Sequence, residues 1–143
     1  INKSISGETS AGGLRRIKRI LKSDKPTIVI LELGANDGLR GLSLEKMSSN
    51  IEQMINLSKA HKAKCLLVGM HIPPNYGPEY TNRFHEVFTN LAAKTNSEFV
   101  PFMLEGFELN DDFFLSDLIH PNERAQPIIL ETIWKKLKMM IAS

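Results

Sequence analysis

Apolar residues along the chain alternate between helical spacing and short continuous runs. Leu14, Ile17, Ile20 and Leu21 recur on one face of an otherwise basic stretch, which predicts a helix ending near Ser23, ahead of Lys25-Pro26. Thr27-Ile28-Val29-Ile30-Leu31-Glu32-Leu33 follows as a β-branched, nearly unbroken apolar run, the pattern of a buried strand. It stops at Gly34-Ala35-Asn36-Asp37-Gly38, which predicts a loop with unusual backbone angles. Met47, Ile51, Met54, Ile55 and Ser58 return to helical spacing, with Ser43 as candidate N-cap. Cys65 to Met70 predicts a second buried strand, and turn residues crowd the stretch from Pro73 to Pro78. Tyr80, Phe84, Val87, Phe88 and Leu91 mark a third amphipathic helix, and Glu98 to Phe102 a short third strand. A mixed segment runs to Asp117, and a final helix from about Asn122 carries Ile129, Ile133, Leu137 and Met140 on its apolar face. Pro127 is tolerated there because it lies near the helix start.

Strand–helix alternation with apolar strands predicts an α/β fold, a parallel sheet covered by helices in three layers. No repeat, low-complexity tract or linker interrupts it, so residues 1–143 read as a single domain. Composition agrees: 143 residues, 42% hydrophobic and 24% charged, suit one soluble globular domain. A formal charge of +2 is too balanced for a dedicated nucleic-acid binder, and the apolar runs are too short to span a bilayer. One cysteine, Cys65, excludes an internal disulfide and a multi-thiolate metal site, and reads as a small core hydrophobe. The chain opens at Ile1-Asn2-Lys3 with neither an initiator Met nor a signal-peptide pattern, so a removed leader or a fragment is expected.

In open parallel sheets, ligands bind past the carboxyl ends of the strands, where the Gly34–Gly38 loop and the loop opening at His71 fall. Asp117-Leu118-Ile119-His120-Pro121 places an Asp three residues before a His, ahead of a helix. Such an Asp can hold an imidazole in one tautomer while the other ring nitrogen takes a proton from a nucleophile. It can equally accept loop amides beside an exposed His. Asn36 can donate its amide to an oxyanion or simply form an Asx-turn. Gly7 can offer a backbone N–H to the same oxyanion or serve as a turn glycine, with Thr9 or Ser10 capping the next helix. His71 reads as a solvated loop residue, and His61 and His85 as surface positions on helices. Arg15, Arg16, Lys18, Arg19 and Lys22 read as a solvated helix face.

Three of these segments occur in one order: Ser4-Ile5-Ser6-Gly7-Glu8-Thr9-Ser10, Leu31-Glu32-Leu33-Gly34-Ala35-Asn36-Asp37-Gly38-Leu39-Arg40-Gly41, and Asp117-Leu118-Ile119-His120-Pro121-Asn122. Together with Pro73-Pro74-Asn75-Tyr76-Gly77 and Ala125-Gln126-Pro127, they resemble the blocks of the GDSL, or SGNH, hydrolases, in the branch of arylesterase, thioesterase I and lysophospholipase L1. The resemblance runs from Asn2 to about Leu137. It implies a flavodoxin-like fold and hydrolysis of esters or thioesters through an acyl-enzyme. His120 would be the general base, Asp117 its orienting partner, and Gly7 and Asn36 two of three oxyanion donors. Gly38, Leu39, Asn75 and Tyr76 would contact substrate. The expected partner is a small acyl ester or thioester, with no metal or organic cofactor and no nucleic acid, and similar enzymes are commonly periplasmic or secreted.

The Gly-Asp-Ser-Leu block that carries the family's nucleophilic serine is absent from the sequence. It is expected upstream of Ile1, together with the first strand, the first helix and most of the second strand. Thr27–Leu33 would then be an exposed apolar edge, open to pairing with the missing piece or with a second copy. Ser4, Ser6 and Ser10 flank the Gly7 block, where the family keeps serines for packing and capping rather than attack. Ala35 stands where Gly is usual and His71 where Arg is frequent. A second reading is a truncated, non-catalytic remnant acting as a binding or self-assembling unit. A third, a flavodoxin-like nucleotide binder, lacks a Gly-x-Gly-x-x-Gly or P-loop pattern.

Overall fold

Three apolar strands, β1 (Ile28–Leu31), β2 (Lys64–Val68) and β3 (Glu98–Val100), pair in parallel in the order β1-β2-β3 in the computed structural model, which describes residues 1–142. Ile28 lies opposite Lys64 and Leu31 opposite Leu67; Leu66 lies opposite Glu98 and Val68 opposite Val100. Cys65, Leu66, Leu67 and Val68 are all buried, as a central strand covered on both faces requires. Among the described residues β1 pairs with β2 alone, so its other edge is open, and Ile30 on that strand is 45% exposed.

The chain divides into two compact units, Ile1–Pro101 and the segment from Phe102 onward. In the first, α1 (Ser10–Asp24), α2 (Ala35–Leu39), α3 (Leu44–Ala60) and α4 (Pro78–Thr95) alternate with the strands. Thr9 caps α1 by accepting from the Gly12 N–H, and Ser43 caps α3 by accepting from the Lys46 N–H at 3.1 Å. Ile17 and Leu21 from α1, Met47, Ile51, Met54 and Ile55 from α3, and Phe84, Phe88 and Leu91 from α4 form one core cluster with the strands. Each such side chain contributes about 1.5–3 kcal/mol by leaving water. The surface pairs Lys94–Glu52 and Arg83–Glu45 add at most about 1 kcal/mol each, so the core dominates.

Two local expectations are corrected. The strand expected over Thr27–Leu33 spans only Ile28–Leu31, although the Thr27 carbonyl still accepts from the Lys64 N–H at 2.9 Å. Gly34–Gly38 is not an irregular loop but the start of the one-turn helix α2, closed by the Gly38 N–H onto the Gly34 carbonyl at 3.0 Å. Gly34, with φ +111°, makes the sharp entry from strand to helix. Because the left-handed angle falls on Gly34, the methyl of Ala35 meets no backbone strain.

In the second unit, the ring of Phe107 packs 5.4 Å from that of Phe113 and 5.9 Å from that of Phe114. A 3-10 turn over Asp111–Phe113 precedes a short antiparallel bridge between Phe114 and Pro121. A second 3-10 turn, Glu123–Ala125, leads into α5 (Gln126–Ala142), whose second residue is Pro127. Asn122 therefore caps this turn, accepting from the Arg124 N–H at 2.9 Å, rather than opening the long helix itself. Ile129, Ile133 and Leu137 are half-buried and Met140 is buried. Among the described residues no helix is long and apolar enough to cross a membrane.

Candidate active site

The Gly7 segment is a tight turn. The Glu8 N–H donates to the Ile5 carbonyl at 3.2 Å, and Gly7, at φ +73°, takes the position of such a turn that favours glycine. Side chains from α2 and its C-cap grip the residues just beyond. The Asn36 amide donates to the Glu8 carbonyl at 3.0 Å, and Arg40 donates through Nη2 to the Gly7 carbonyl at 3.0 Å. Asp37, buried, accepts from the Ser10 N–H at 2.8 Å through one oxygen and from the Ser10 hydroxyl at 2.6 Å through the other. Asn50 on α3 then donates to the Ser10 oxygen at 3.0 Å. Asp37 also sits at the N-terminal end of α1, where a negative charge is favoured by the helix dipole. Gly7 and Asn36 are thus brought to one place, and the Asn36 amide has a second N–H beyond the one given to Glu8.

Two tyrosines hold the other end of α2. Tyr76 donates to the Leu39 carbonyl at 2.9 Å and Tyr80 to the Gly38 carbonyl at 3.0 Å, the two rings lying 6.3 Å apart. Tyr76 belongs to the 3-10 turn Pro74–Tyr76 that follows β2, so the loops after β1 and β2 meet there. Burial pushes the Tyr80 hydroxyl above its ordinary pKa. Gly38, Leu39 and Tyr76 are therefore together, and Asn75 is exposed on the same turn.

In the second unit, the Asp117 carboxylate closes a loop. One oxygen accepts from the Ile119 N–H at 2.9 Å and the His120 N–H at 3.0 Å; the other pairs with His120 Nδ1 at 2.7 Å. Leu118 between them has φ +55°, a left-handed angle paid for by these bonds. The loop is pinned by the Leu115 N–H on the His120 carbonyl at 2.8 Å and by Asn122, which donates to the carbonyls of Asp112 and Phe114. Hydrogen bonds from the two backbone N–H groups and the imidazole hold Asp117 down at a pKa of about 2. Asp117 stays ionised and His120 presents its other ring nitrogen outward, with 68% of its side chain exposed.

Other candidates settle into structural places. His85 is not a simple surface residue: it is half-buried, and its ring stacks on that of His71 at 3.8 Å. His61 is exposed and caps α3, with Nδ1 2.9 Å from the Leu57 carbonyl. Burial pushes the Cys65 thiol up to about 12, which leaves no reactive thiolate near neutral pH. Among the described residues no group of three or more His, Cys, Asp or Glu is arranged to hold a metal ion. Sequence reasoning took Ser10 only as a capping or packing serine and Tyr80 only as part of an apolar helix face, and gave no role to the side chains of Asp37 and Arg40. An Asp beside Asn36 on a predicted ligand-binding loop was the available signal for the Asp37–Ser10 contact.

A model of the GDSL-like lipase/acylhydrolase family matches residues 1–127. The chain is 44% identical to the esterase TesA of Pseudomonas aeruginosa, over 99% of this chain and 70% of that protein. It is 37% identical to thioesterase 1/protease 1/lysophospholipase L1 of Escherichia coli K12, over 99% of this chain and 68% of that protein. The crystal structure of the psychrotrophic esterase EstA from Pseudoalteromonas sp., inhibited by monoethylphosphonate, matches with a TM-score of 0.93 at 40% identity, covering 100% of this chain and 78% of that one. With fold, sequence and family model in agreement over nearly its whole length, the chain belongs to the GDSL-like lipase/acylhydrolase family and is an esterase-type hydrolase.

Proposed function

We propose that the protein hydrolyses small acyl esters or thioesters through an acyl-enzyme, with His120 as general base, Asp117 as its orienting partner, and Gly7 N–H and the Asn36 amide as oxyanion donors. The observation that carries this reading is the Asp117–His120 pair, at 2.7 Å on Nδ1. An ionised Asp on Nδ1–H keeps the proton on that nitrogen and leaves Nε2 free to accept one. A serine hydroxyl then attacks the acyl carbonyl carbon while Nε2 takes its proton, and Asp117 stabilises the imidazolium. The carbonyl oxygen becomes an oxyanion that the Gly7 N–H and the second Asn36 N–H can receive. Collapse expels the alcohol or thiol, which takes the proton back from His120. Water repeats the sequence on the acyl-serine, releasing the acid.

The serine is proposed to lie N-terminal to Ile1. No Gly-Asp-Ser occurs in the 143 residues, and Ser10, the serine bonded into the Asp37 network, is buried and bonded to Asp37 and Asn50. Substrate contact is assigned to Leu39, Asn75 and Tyr76, and to Gly38, which is itself buried and bonded through its carbonyl to Tyr80; the Tyr76–Leu39 bond, which joins α2 to the turn after β2, supports the grouping. Relatives bear the names esterase, arylesterase and thioesterase 1/protease 1/lysophospholipase L1, which supports an acyl ester or thioester as substrate. The test is hydrolysis of p-nitrophenyl butyrate and an acyl thioester by the full-length natural protein and its His120→Ala variant. Turnover that vanishes in the variant is expected. Turnover that survives in the variant, or none in the natural protein, overturns the assignment.

A further inference from the structure

We propose that Arg40 is a positioning residue that anchors Gly7 through its carbonyl and so keeps the residue carrying the N–H in place for an oxyanion; this rests on the assignment of Gly7 and Asn36 as oxyanion donors. Gly7 has the widest backbone freedom of any residue type, and it sits at φ +73° in an exposed turn. A donor on such a residue is useful only if its direction is fixed, because stabilisation depends on a donor–oxyanion distance held near about 2.7–3.1 Å. The turn's own bond, from the Glu8 N–H to the Ile5 carbonyl at 3.2 Å, ties down only the nitrogen side of the peptide after Gly7. Its carbonyl side, which belongs to Gly7 itself, is held from outside. Arg40 Nη2 donates to its carbonyl oxygen at 3.0 Å, and the Asn36 amide donates to the next carbonyl, Glu8, at 3.0 Å.

The origin of the guanidinium matters as much as its contact. Arg40 is the C-cap of α2, and its own N–H donates to the Asn36 carbonyl at 3.2 Å. One turn of helix therefore carries both the Asn36 amide and the clamp on Gly7, so the two proposed donors share a rigid reference. Asp37, between them, fastens the same turn to Ser10 through two bonds. Asp37 is buried and underlies the fold, whereas Arg40 is exposed, so its side chain can be altered with little loss of core packing.

The test is steady-state hydrolysis of a neutral p-nitrophenyl ester by the full-length natural protein and by Arg40→Ala, Arg40→Lys, Asn36→Ala and, as a control, Arg83→Ala on the exposed surface. Arg40→Ala is expected to lower kcat about tenfold with KM within about twofold, since positioning acts on the transition state and not on ground-state binding. Arg40→Lys should retain part of the loss, and millimolar guanidinium should restore part of kcat to Arg40→Ala but none to Arg83→Ala. Asn36→Ala should lower kcat more steeply than either. An Arg40→Ala variant with unchanged kcat, or one in which KM alone rises, overturns the inference while Asn36→Ala still loses kcat. If Asn36→Ala itself keeps full kcat, the oxyanion assignment beneath the inference fails. Thermal melts of each variant, with guanidinium rescue read on the folded fraction, separate a lost clamp from a lost fold.

Discussion

Asp117 receives His120 twice, taking the ring Nδ1–H at 2.7 Å on one carboxylate oxygen and the backbone N–H at 3.0 Å on the other. The same group that orients the imidazole therefore also shapes the loop that carries it. This couples ring direction to backbone conformation at Leu118, whose φ of +55° persists because both N–H groups after it are satisfied. Such economy comes from a spacing of three residues, which lets one carboxylate reach back to a ring and forward to two amides.

The first prediction concerns this carboxylate. Its pKa in the folded chain is about 2, below the ordinary 3.8, so the folded state binds fewer protons than the unfolded one in that range. The stabilisation it lends is therefore full above pH 3.8 and is lost as pH falls through about 2. A carboxyl carbon titration followed by NMR should show Asp117 with a midpoint near about 2, and no change in its charge between pH 5 and 8. Asp117→Asn should leave the fold near neutral pH intact but lower kcat by roughly 10³–10⁴, because an amide can donate to Nδ1 and favour the wrong tautomer. Equal kcat in the variant would count against the pair as a catalytic unit.

A second prediction follows from Ser10 and Asp37. Both are buried, and the carboxylate is satisfied by the Ser10 N–H and hydroxyl. Ser10→Ala strands one carboxylate oxygen and the Asn50 amide, and should cost about 2 kcal/mol. Asp37→Ala leaves the Ser10 N–H and hydroxyl without their acceptor and should cost about 3 kcal/mol or more. Urea denaturation of both variants checks the order, and a smaller loss in Asp37→Ala than in Ser10→Ala would refute the network as drawn.

Legibility from sequence tracked the range of the interaction. Met47, Ile51, Met54, Ile55 and Ser58, picked by spacing, are all buried, and Thr9 and Ser43 cap the helices that follow them. Those features depend on residues three or four apart, which periodicity and capping chemistry encode locally. Asp117 and His120 fall in the same class. The contact between Ser10 and Asp37 spans 27 positions and the Arg40–Gly7 contact 33, and no local pattern announces either. The His71–His85 stack was missed for the same reason, a loop residue meeting a helix residue only after β2 and α4 have packed. The early end of β1 at Leu31 reflects a competition: Glu32 and Leu33 suit a strand, but Gly34 at φ +111° begins α2 so soon that the chain must already turn.

The third prediction is steric. A Cβ built on Gly38 would lie 2.5 Å from Phe84 Cε2, and Phe84 is fully buried in the core beside Phe88. Gly38 is not in a left-handed conformation, so space alone excludes a side chain there. Gly38→Ala should destabilise by about 1–3 kcal/mol through overpacking. Pairing it with Phe84→Leu should recover part of that loss, a positive coupling that a double-mutant cycle in urea would read; two strictly additive losses would exclude the clash as the cause.

The last prediction separates the two tyrosines that close α2. Tyr80 is half-buried, and its hydroxyl, donated to the Gly38 carbonyl at 3.0 Å, is pushed above the ordinary tyrosine pKa by burial. Tyr76 is 39% exposed and makes a similar bond, at 2.9 Å, to the Leu39 carbonyl. Water can replace the Tyr76 hydroxyl far more readily than that of Tyr80, so the two phenylalanine variants should differ. Tyr80→Phe leaves a carbonyl short of its donor where water reaches poorly, and should cost about 1–2 kcal/mol of stability. Tyr76→Phe should cost about 0.5 kcal/mol or less, since an exposed carbonyl is resolvated at little expense. Since the proposed substrate loop runs through Tyr76 rather than Tyr80, its variant should instead raise KM for p-nitrophenyl butyrate while leaving kcat within about twofold. Stability loss concentrated in Tyr76→Phe, or a KM change confined to Tyr80→Phe, would reverse these roles and place the substrate-facing surface of α2 on the α4 side.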